Sequence, residues 1–196
     1  MDRITTFDLV IFLALLAMFV LGYAQGLVRR LLGIAAIVFS LILAASLRHP
    51  LGEYLANEWS GIAASYSYMV AFGAVFAAAA ITLSLGIQIT YRPAPLFPRY
   101  PVLDELLGGI LGVIEGIIIL VAILLILDPH YNQAAVQQRV GSGEFTPLRD
   151  LHRLLNDTLT ADLLRHTLIP GILAVFGFLF PQDVRDAFAR VLLVRR

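Results

Sequence analysis

Long runs without a charged residue are the feature that most limits how this chain can fold. Residues 9–28, 31–47 and 59–91 contain no charged side chain, and residues 106–127 contain a single acid. A helix needs about 20 apolar residues to cross the roughly 30 Å hydrocarbon core of a bilayer. The runs therefore predict an all-α membrane protein, in which four transmembrane helices form a bundle.

The composition supports the same class of protein. Hydrophobic residues make up 59% of the chain and charged residues 14%, and the mean hydropathy is +0.84, whereas roughly a quarter of the residues of a soluble domain are charged. The formal net charge is zero, so the chain lacks the basic surplus typical of nucleic-acid binding. It has no cysteine, which excludes disulfides and thiolate metal sites.

The third run is longer than one crossing requires. Its first ten residues are rich in Ser, Gly and aromatic residues, and Trp and Tyr favour the headgroup zone of a membrane. We therefore predict a span over residues 69–89, with Trp59, Tyr66 and Tyr68 near the interface. Two shorter helices are the alternative, but the run contains no turn signal.

The connections between the runs carry turn chemistry. Gly26 precedes two arginines and predicts a tight hairpin between the first two spans. Pro50 predicts the end of the second span and Pro129 the end of the fourth, because proline disrupts a helix interior. Residues 92–101 hold four prolines and predict an extended connector.

The composition changes after the fourth run, which predicts a transmembrane domain over residues 1–128 and a tail over residues 129–196. Apolar residues recur at helical spacing between residues 148 and 163. This pattern predicts an amphipathic helix that lies on the membrane or on the bundle. Residues 167–180 are apolar but short for a span, so we expect an interfacial or re-entrant segment. A fifth crossing is the alternative.

The distribution of arginine predicts the orientation, because short cytoplasmic loops carry an excess of basic residues. The loops after the first and third spans are the basic ones, and the loop after the second span has one arginine and two acids. We therefore expect the first and third loops in the cytoplasm and both termini outside. The residues concerned are Arg29, Arg30, Arg92 and Arg99 against Arg48, Glu53 and Glu58.

Glycines recur every fourth residue in the first and fourth spans. Small residues at this spacing form a groove in which two helix backbones approach closely. The first interpretation is that these glycines allow helices of this chain to pack closely. The alternative is that they form a face for a second copy or for another membrane protein. The glycines concerned are Gly22, Gly26, Gly108, Gly112 and Gly116.

Three acids stand within or at the start of spans. Glu115 is a candidate intramembrane polar site, because a charge at mid-bilayer costs about 2.5–3.5 kcal/mol and is usually paired, neutral or functional. A protonated, hydrogen-bonded glutamic acid is the simpler interpretation, and a proton or ion relay is the functional one. Asp8 and Asp104 open the first and fourth spans, where they would stabilise the helix N-terminus by about 0.3–1 kcal/mol.

No residue pattern points to a reaction. The four histidines, His49, His130, His152 and His166, lack metal-ligand spacing, and no phosphate-binding or nucleophile motif occurs. We therefore expect no catalytic residue, no metal and no cofactor, so the chain is not expected to be an enzyme. The expected partners are membrane lipid and either a second copy or other membrane proteins, with no nucleic acid, and the sequence identifies no small-molecule substrate.

Two segments resemble a known family. Together with Asp8 at the start of the first span, these segments are similar to the CvpA (colicin V production protein) family. The first is residues 22–32, a glycine hairpin followed by Arg29-Arg30, and the second is residues 103–116, in which Asp104 leads into the repeated glycines. The resemblance covers about residues 4–127 and implies a four-span bacterial inner-membrane protein associated with toxin production and envelope homeostasis. It implies no catalytic residue. Glu115 departs from the basic residue that the family often has there.

Overall fold

The computed structural model of the chain describes residues 5–59, 63–91, 99–132, 145–176 and 185–186. The described residues form helices and no strands. Four helices are long and apolar enough to cross a membrane, which confirms the predicted four-span all-α fold. The elements are α1 Thr6–Gln25, α2 Leu27–Glu58, α3 Ala64–Thr90, α4 Pro101–Tyr131, α5 Thr146–Asn156, α6 Leu159–Leu163, a π-helical turn Leu164–Leu168 and α7 Ile169–Phe176.

The four spans pack as two pairs. α1 packs mainly against α4 and α3 mainly against α2, while contacts between α2 and α4 join the pairs. α1 begins and α4 ends at the same end of the bundle, which we call the Asp128 end. The fully buried large side chains Met69, Phe72, Leu124 and Leu125 lie near this end. The other end holds the α1–α2 hairpin and the start of α4.

α2 does not end at Pro50, contrary to the sequence prediction. It continues for eight residues beyond the proline, to Glu58. Proline removes one helix hydrogen bond and costs about 3 kcal/mol in a helix interior. Packing against α3 outweighs this cost, because the buried face of α2 runs on through Arg48 and Gly52. Gly52 lies directly under the Tyr68 ring, and the Arg48 guanidinium lies 5.7 Å from the Phe72 ring centre.

Two further boundaries differ from the prediction. α4 continues through Pro129 to Tyr131, because the tail covers this last turn and buries it completely. α3 starts at Ala64, five residues before the predicted span. Tyr66 is only 4% exposed, and its hydroxyl accepts a hydrogen bond of 2.9 Å from the Phe145 N–H. Protein contacts therefore surround this side chain.

The predicted amphipathic helix of the tail is two helices. α5 is strongly amphipathic and lies on the bundle, but the chain turns at Asp157 and α6 restarts at Leu159. Thr158 caps α6, since its hydroxyl oxygen accepts a hydrogen bond from the Ala161 N–H. The apolar spacing continues across the break, which is why periodicity alone missed it. α7 has eight residues, and residues 177–180 of the predicted apolar segment lie outside the described residues.

Candidate functional site

The glycines of the first and fourth spans meet each other. A Cβ atom at Gly108 would lie 2.6 Å from the Gly22 carbonyl oxygen. A Cβ atom at Gly112 would collide with the Met18 carbonyl oxygen, and one at Gly116 would lie 2.8 Å from a methyl group of Leu15. α1 therefore fills the α4 groove at backbone distance, so the structure places these glycines in a contact within the chain.

Gly26 is the only residue between α1 and α2, and its backbone explains the tight hairpin. Its φ angle of +76° lies in a region that only glycine adopts readily. A Cβ atom there would also lie 2.6 Å from a carboxylate oxygen of Asp104. That oxygen accepts a hydrogen bond of 3.4 Å from the Leu27 N–H. Asp104 therefore satisfies a free N–H at the start of α2, a role across helices that the sequence did not indicate.

Glu115 forms an ion pair with Arg30. The two side chains are 10% and 7% exposed, respectively, and Glu115 lies near the middle of α4. Gly33, almost one turn after Arg30, makes room for the carboxylate, because a Cβ atom there would lie 2.8 Å from Oε1. The sequence singled out Glu115 but placed Arg30 in a loop. Since α2 begins at Leu27, Arg30 belongs to its first turn and points along the bundle.

The surroundings of this pair are apolar. Ile37, Leu41 and Val121 are buried in the next layers toward the Asp128 end. Ser40 is also buried there, but its hydroxyl donates to the Ala36 carbonyl of its own helix at 2.7 Å. Thr82 lies on the exposed face of α3. The hydroxyl proton of Ser40 is thus used within its own helix, and the buried polar side chains Arg48 and Ser67 lie nearer the Asp128 end.

Asp8 joins the start of α1 to the tail. Its carboxylate accepts hydrogen bonds from the Thr5 N–H and hydroxyl, as expected for an acid at a helix start. It also accepts one from the Leu159 N–H at 3.3 Å and two from Thr160, at 3.0 Å from the N–H and 2.7 Å from the hydroxyl. One buried carboxylate thus satisfies the N-termini of two helices, α1 and α6.

Asp128 is the centre of a second contact between the bundle and the tail. Its side chain is 1% exposed and accepts two hydrogen bonds from the Arg165 guanidinium, at 2.7 and 2.8 Å. His152 Nε2 lies 3.1 Å from the same carboxylate. Arg165 also donates to the Asn156 side chain at 3.0 Å. Fork-shaped Arg–carboxylate pairs are among the strongest hydrogen-bonded contacts in proteins, so the tail is firmly docked.

Aromatic rings continue this contact along the end of α4. His130 is 1% exposed, and its Nδ1 lies 2.9 Å from the Ser65 hydroxyl of α3. The ring of Tyr131 lies between His130, at 4.8 Å, and His152, at 5.1 Å. The structure thus brings together two histidines that are 22 positions apart. Among the described residues, no three His, Cys, Asp or Glu side chains are placed to hold a metal ion.

Asp128, His152, Asn156 and Arg165 form a cluster, here called the Asp128 cluster, that the sequence did not predict, for a clear reason. Asp128 was part of a predicted helix terminator, and its partners His152 and Arg165 belong to other elements. No periodicity within one helix links such residues. The available signal was the presence of arginine and histidine among the apolar residues of the tail, since buried charges require partners.

One comparison with known proteins gives a match. A family model described as colicin V production protein matches residues 7–149, which include α1 to α4 and the start of α5. No curated protein and no solved structure matches the chain.

Proposed function

Because the chain belongs to the colicin V production protein family, we propose that it is an accessory or scaffold protein of the bacterial inner membrane. In this role it assists toxin production or export and helps to maintain the cell envelope. The proposal places both termini outside and assigns no reaction, cofactor or small-molecule substrate to the chain. Its partners are membrane lipid and either a second copy or other membrane proteins.

The observation that carries the proposal is the closed environment of Glu115. A relay or channel requires polar groups at successive depths, because charge crosses hydrocarbon only along polar or hydrated groups. Glu115 is instead neutralised by Arg30, and apolar side chains such as Leu41 and Val121 are buried between this pair and the polar groups near the Asp128 end. An ion pair in such surroundings fixes the position of α2 relative to α4.

The docked tail gives further support to a structural role. Asp8 and Asp128 each bind residues of the tail, so the Asp128 end presents a defined folded surface. A scaffold needs such a surface, whereas a small channel would need an open path at this end. A proton- or ion-coupled transporter that uses Glu115 remains the second candidate, because acids within spans commonly carry protons.

Replacement of the ion pair by apolar residues separates the two candidates. We would express the wild type and the double variant Arg30→Met/Glu115→Leu in a colicin V-producing strain that lacks its own copy. A scaffold should retain toxin export and resistance to envelope stress, because buried ion pairs are often replaced by apolar residues without loss of stability. A transporter should lose both while the protein still folds and accumulates. Proton flux into proteoliposomes that contain the wild type would also contradict the scaffold proposal.

A further inference from the structure

An apolar cavity of about 320 Å³ lies between α3, α4 and α5. Its walls come from two spans and from the amphipathic helix of the tail. All of the lining side chains are apolar, and Ala74 at its edge is exposed. The walls include Met69, Gly73, Ile126, Leu127, Leu148 and Leu151.

An apolar cavity of this size is unfavourable when it is empty. The pocket opens on the exposed side of α3, and its lining atoms lack packing contacts wherever nothing fills it. Water is a poor occupant, since it requires two to four polar partners and these walls offer none from side chains. The volume lies within the range of ligand-binding pockets in proteins. The cavity therefore favours an apolar occupant.

The position of the cavity identifies the kind of occupant. Ile126 and Leu127 are the last residues of the uncharged run of α4, and the charged Asp128 follows them. The cavity is therefore level with the edge of the hydrocarbon core, beneath an amphipathic helix. Ala74 lies at the outer edge, on the lipid-facing side of α3. We propose that this cavity binds an acyl chain of a membrane lipid.

Helix α5 covers this lipid site, and the Asp128 cluster holds α5 in place. Leu148 and Leu151 of α5 face the cavity, and the next residue, His152, contacts Asp128 at 3.1 Å. The position of α5 is therefore fixed whether or not the cavity is occupied. This arrangement differs from the α4 glycine groove, which α1 fills. At Gly73, a Cβ atom would make only an ordinary contact with Ile126, at 3.4 Å, so larger side chains here would enter the cavity.

Photolabelling with a lipid tests the proposal on the full chain. The protein would be placed in vesicles of phosphatidylethanolamine and phosphatidylglycerol that contain a small share of phospholipid with a diazirine in its acyl chain. After irradiation, labelled residues are mapped by mass spectrometry. We expect labelling of residues 69–74 and 148–151 well above that of Phe12 and Leu16, which are exposed on the outer face of α1.

A filled cavity should exclude the lipid. Ala74→Phe should lower the labelling of residues 148–151 about tenfold, as expected for the loss of about two buried methylene groups. The matched control Ala78→Phe lies one turn further along the same exposed side of α3 and should leave the labelling unchanged. Val70→Phe fills the same cavity and serves as the second variant if Ala74→Phe fails to fold.

Two results would overturn the lipid site. The first is labelling in the cavity no stronger than that of the outer face of α1. The second is equal labelling of the Ala74→Phe and Ala78→Phe variants. Neither of these results bears on the scaffold proposal, which the double variant of the ion pair tests separately.

Discussion

Two buried arginine–carboxylate pairs among the described residues differ in what surrounds them. Arg30 and Glu115 meet inside the bundle, and the Nε of Arg30 has no hydrogen-bond partner among the described residues. Asp128 and Arg165 meet at the end of the bundle, where His152 and Asn156 complete the contact. The first pair joins two spans, and the second joins a span to the tail.

The difference shows that the position of an ion pair along the bundle changes what the pair stabilises. Inside the bundle the two charges mainly neutralise each other, and few further polar groups are present, because each additional one would cost free energy in hydrocarbon. At the Asp128 end more donors are available, so the carboxylate receives three contacts. We therefore expect the first pair to affect the stability of the whole bundle and the second to affect the docking of the tail.

The largest effect is expected for Glu115→Leu, which leaves Arg30 buried without its counter-ion. Breaking a buried pair by removal of one partner costs about 3–5 kcal/mol. The free energy of unfolding in mixed detergent micelles, from titration with a denaturing detergent, gives the measurement. The double variant Arg30→Met/Glu115→Leu should recover most of the loss. A double variant as unstable as the single one would show that the unpaired charge of Arg30 is not the cause of the loss.

A smaller and local effect is expected for Asp128→Asn. The carboxylate loses its charge but keeps its size, and hydrogen bonds to charged groups contribute about 1.5–3 kcal/mol. Amide hydrogen exchange should rise in α5 to α7 and stay unchanged along α1. Asp150→Asn, at an exposed carboxylate of α5, is the matched control. Faster exchange throughout the four spans would mean that the two pairs do not act separately.

The contact between the glycines of α4 and α1 involves no charged group. Its stability should therefore depend only on the size of the side chain at each glycine position. Gly112→Leu should destabilise the bundle by about 1–3 kcal/mol, since overpacking forces the helices apart. Gly86→Leu is the matched control, because a Cβ atom at Gly86 meets nothing within 4 Å and the residue also lies in a span. Gly171→Leu, in the tail and equally open, should be as mild. Equal unfolding free energies for the Gly112 and Gly86 variants would contradict the close packing.

The last prediction concerns which side of the membrane each end faces and should leave stability unchanged. The arginine bias predicts that the Asp128 end lies outside. Because the chain has no cysteine, single cysteines report position without ambiguity. A membrane-impermeant thiol reagent added to intact cells should label Glu53→Cys strongly and Tyr100→Cys weakly. Both residues are exposed. The opposite pattern would place the Asp128 cluster in the cytoplasm.

The sequence predicted the spans better than their ends. Uncharged runs locate membrane helices because hydrocarbon excludes charge, and each of α1 to α4 overlaps one such run. The ends at Pro50 and Pro129 were wrong, because packing against α3 and the tail outweighs the local cost of proline. Periodicity also joined α5 and α6 into one helix, since a break at Thr158 leaves the apolar spacing intact.

The candidate sites also include features that the sequence predicted and contacts that it did not. The sequence identified Glu115 as costly and the α4 glycines as a groove, because both inferences depend on single helices. It did not identify Arg30, His152 or Arg165 as partners, because each of these contacts joins elements that are distant in the chain.

By itself, the sequence determined the class of protein, the number of spans and the helix faces that could pack closely. The bilayer enforces these features on any chain with such a composition, because unpaired charge and unsatisfied backbone groups are excluded from hydrocarbon. Only the tertiary structure decided that α1 fills the α4 groove, that Arg30 neutralises Glu115 and that Asp128 docks the tail. Each of these choices is a pairing between distant residues, and its free energy exists only once the helices have come together.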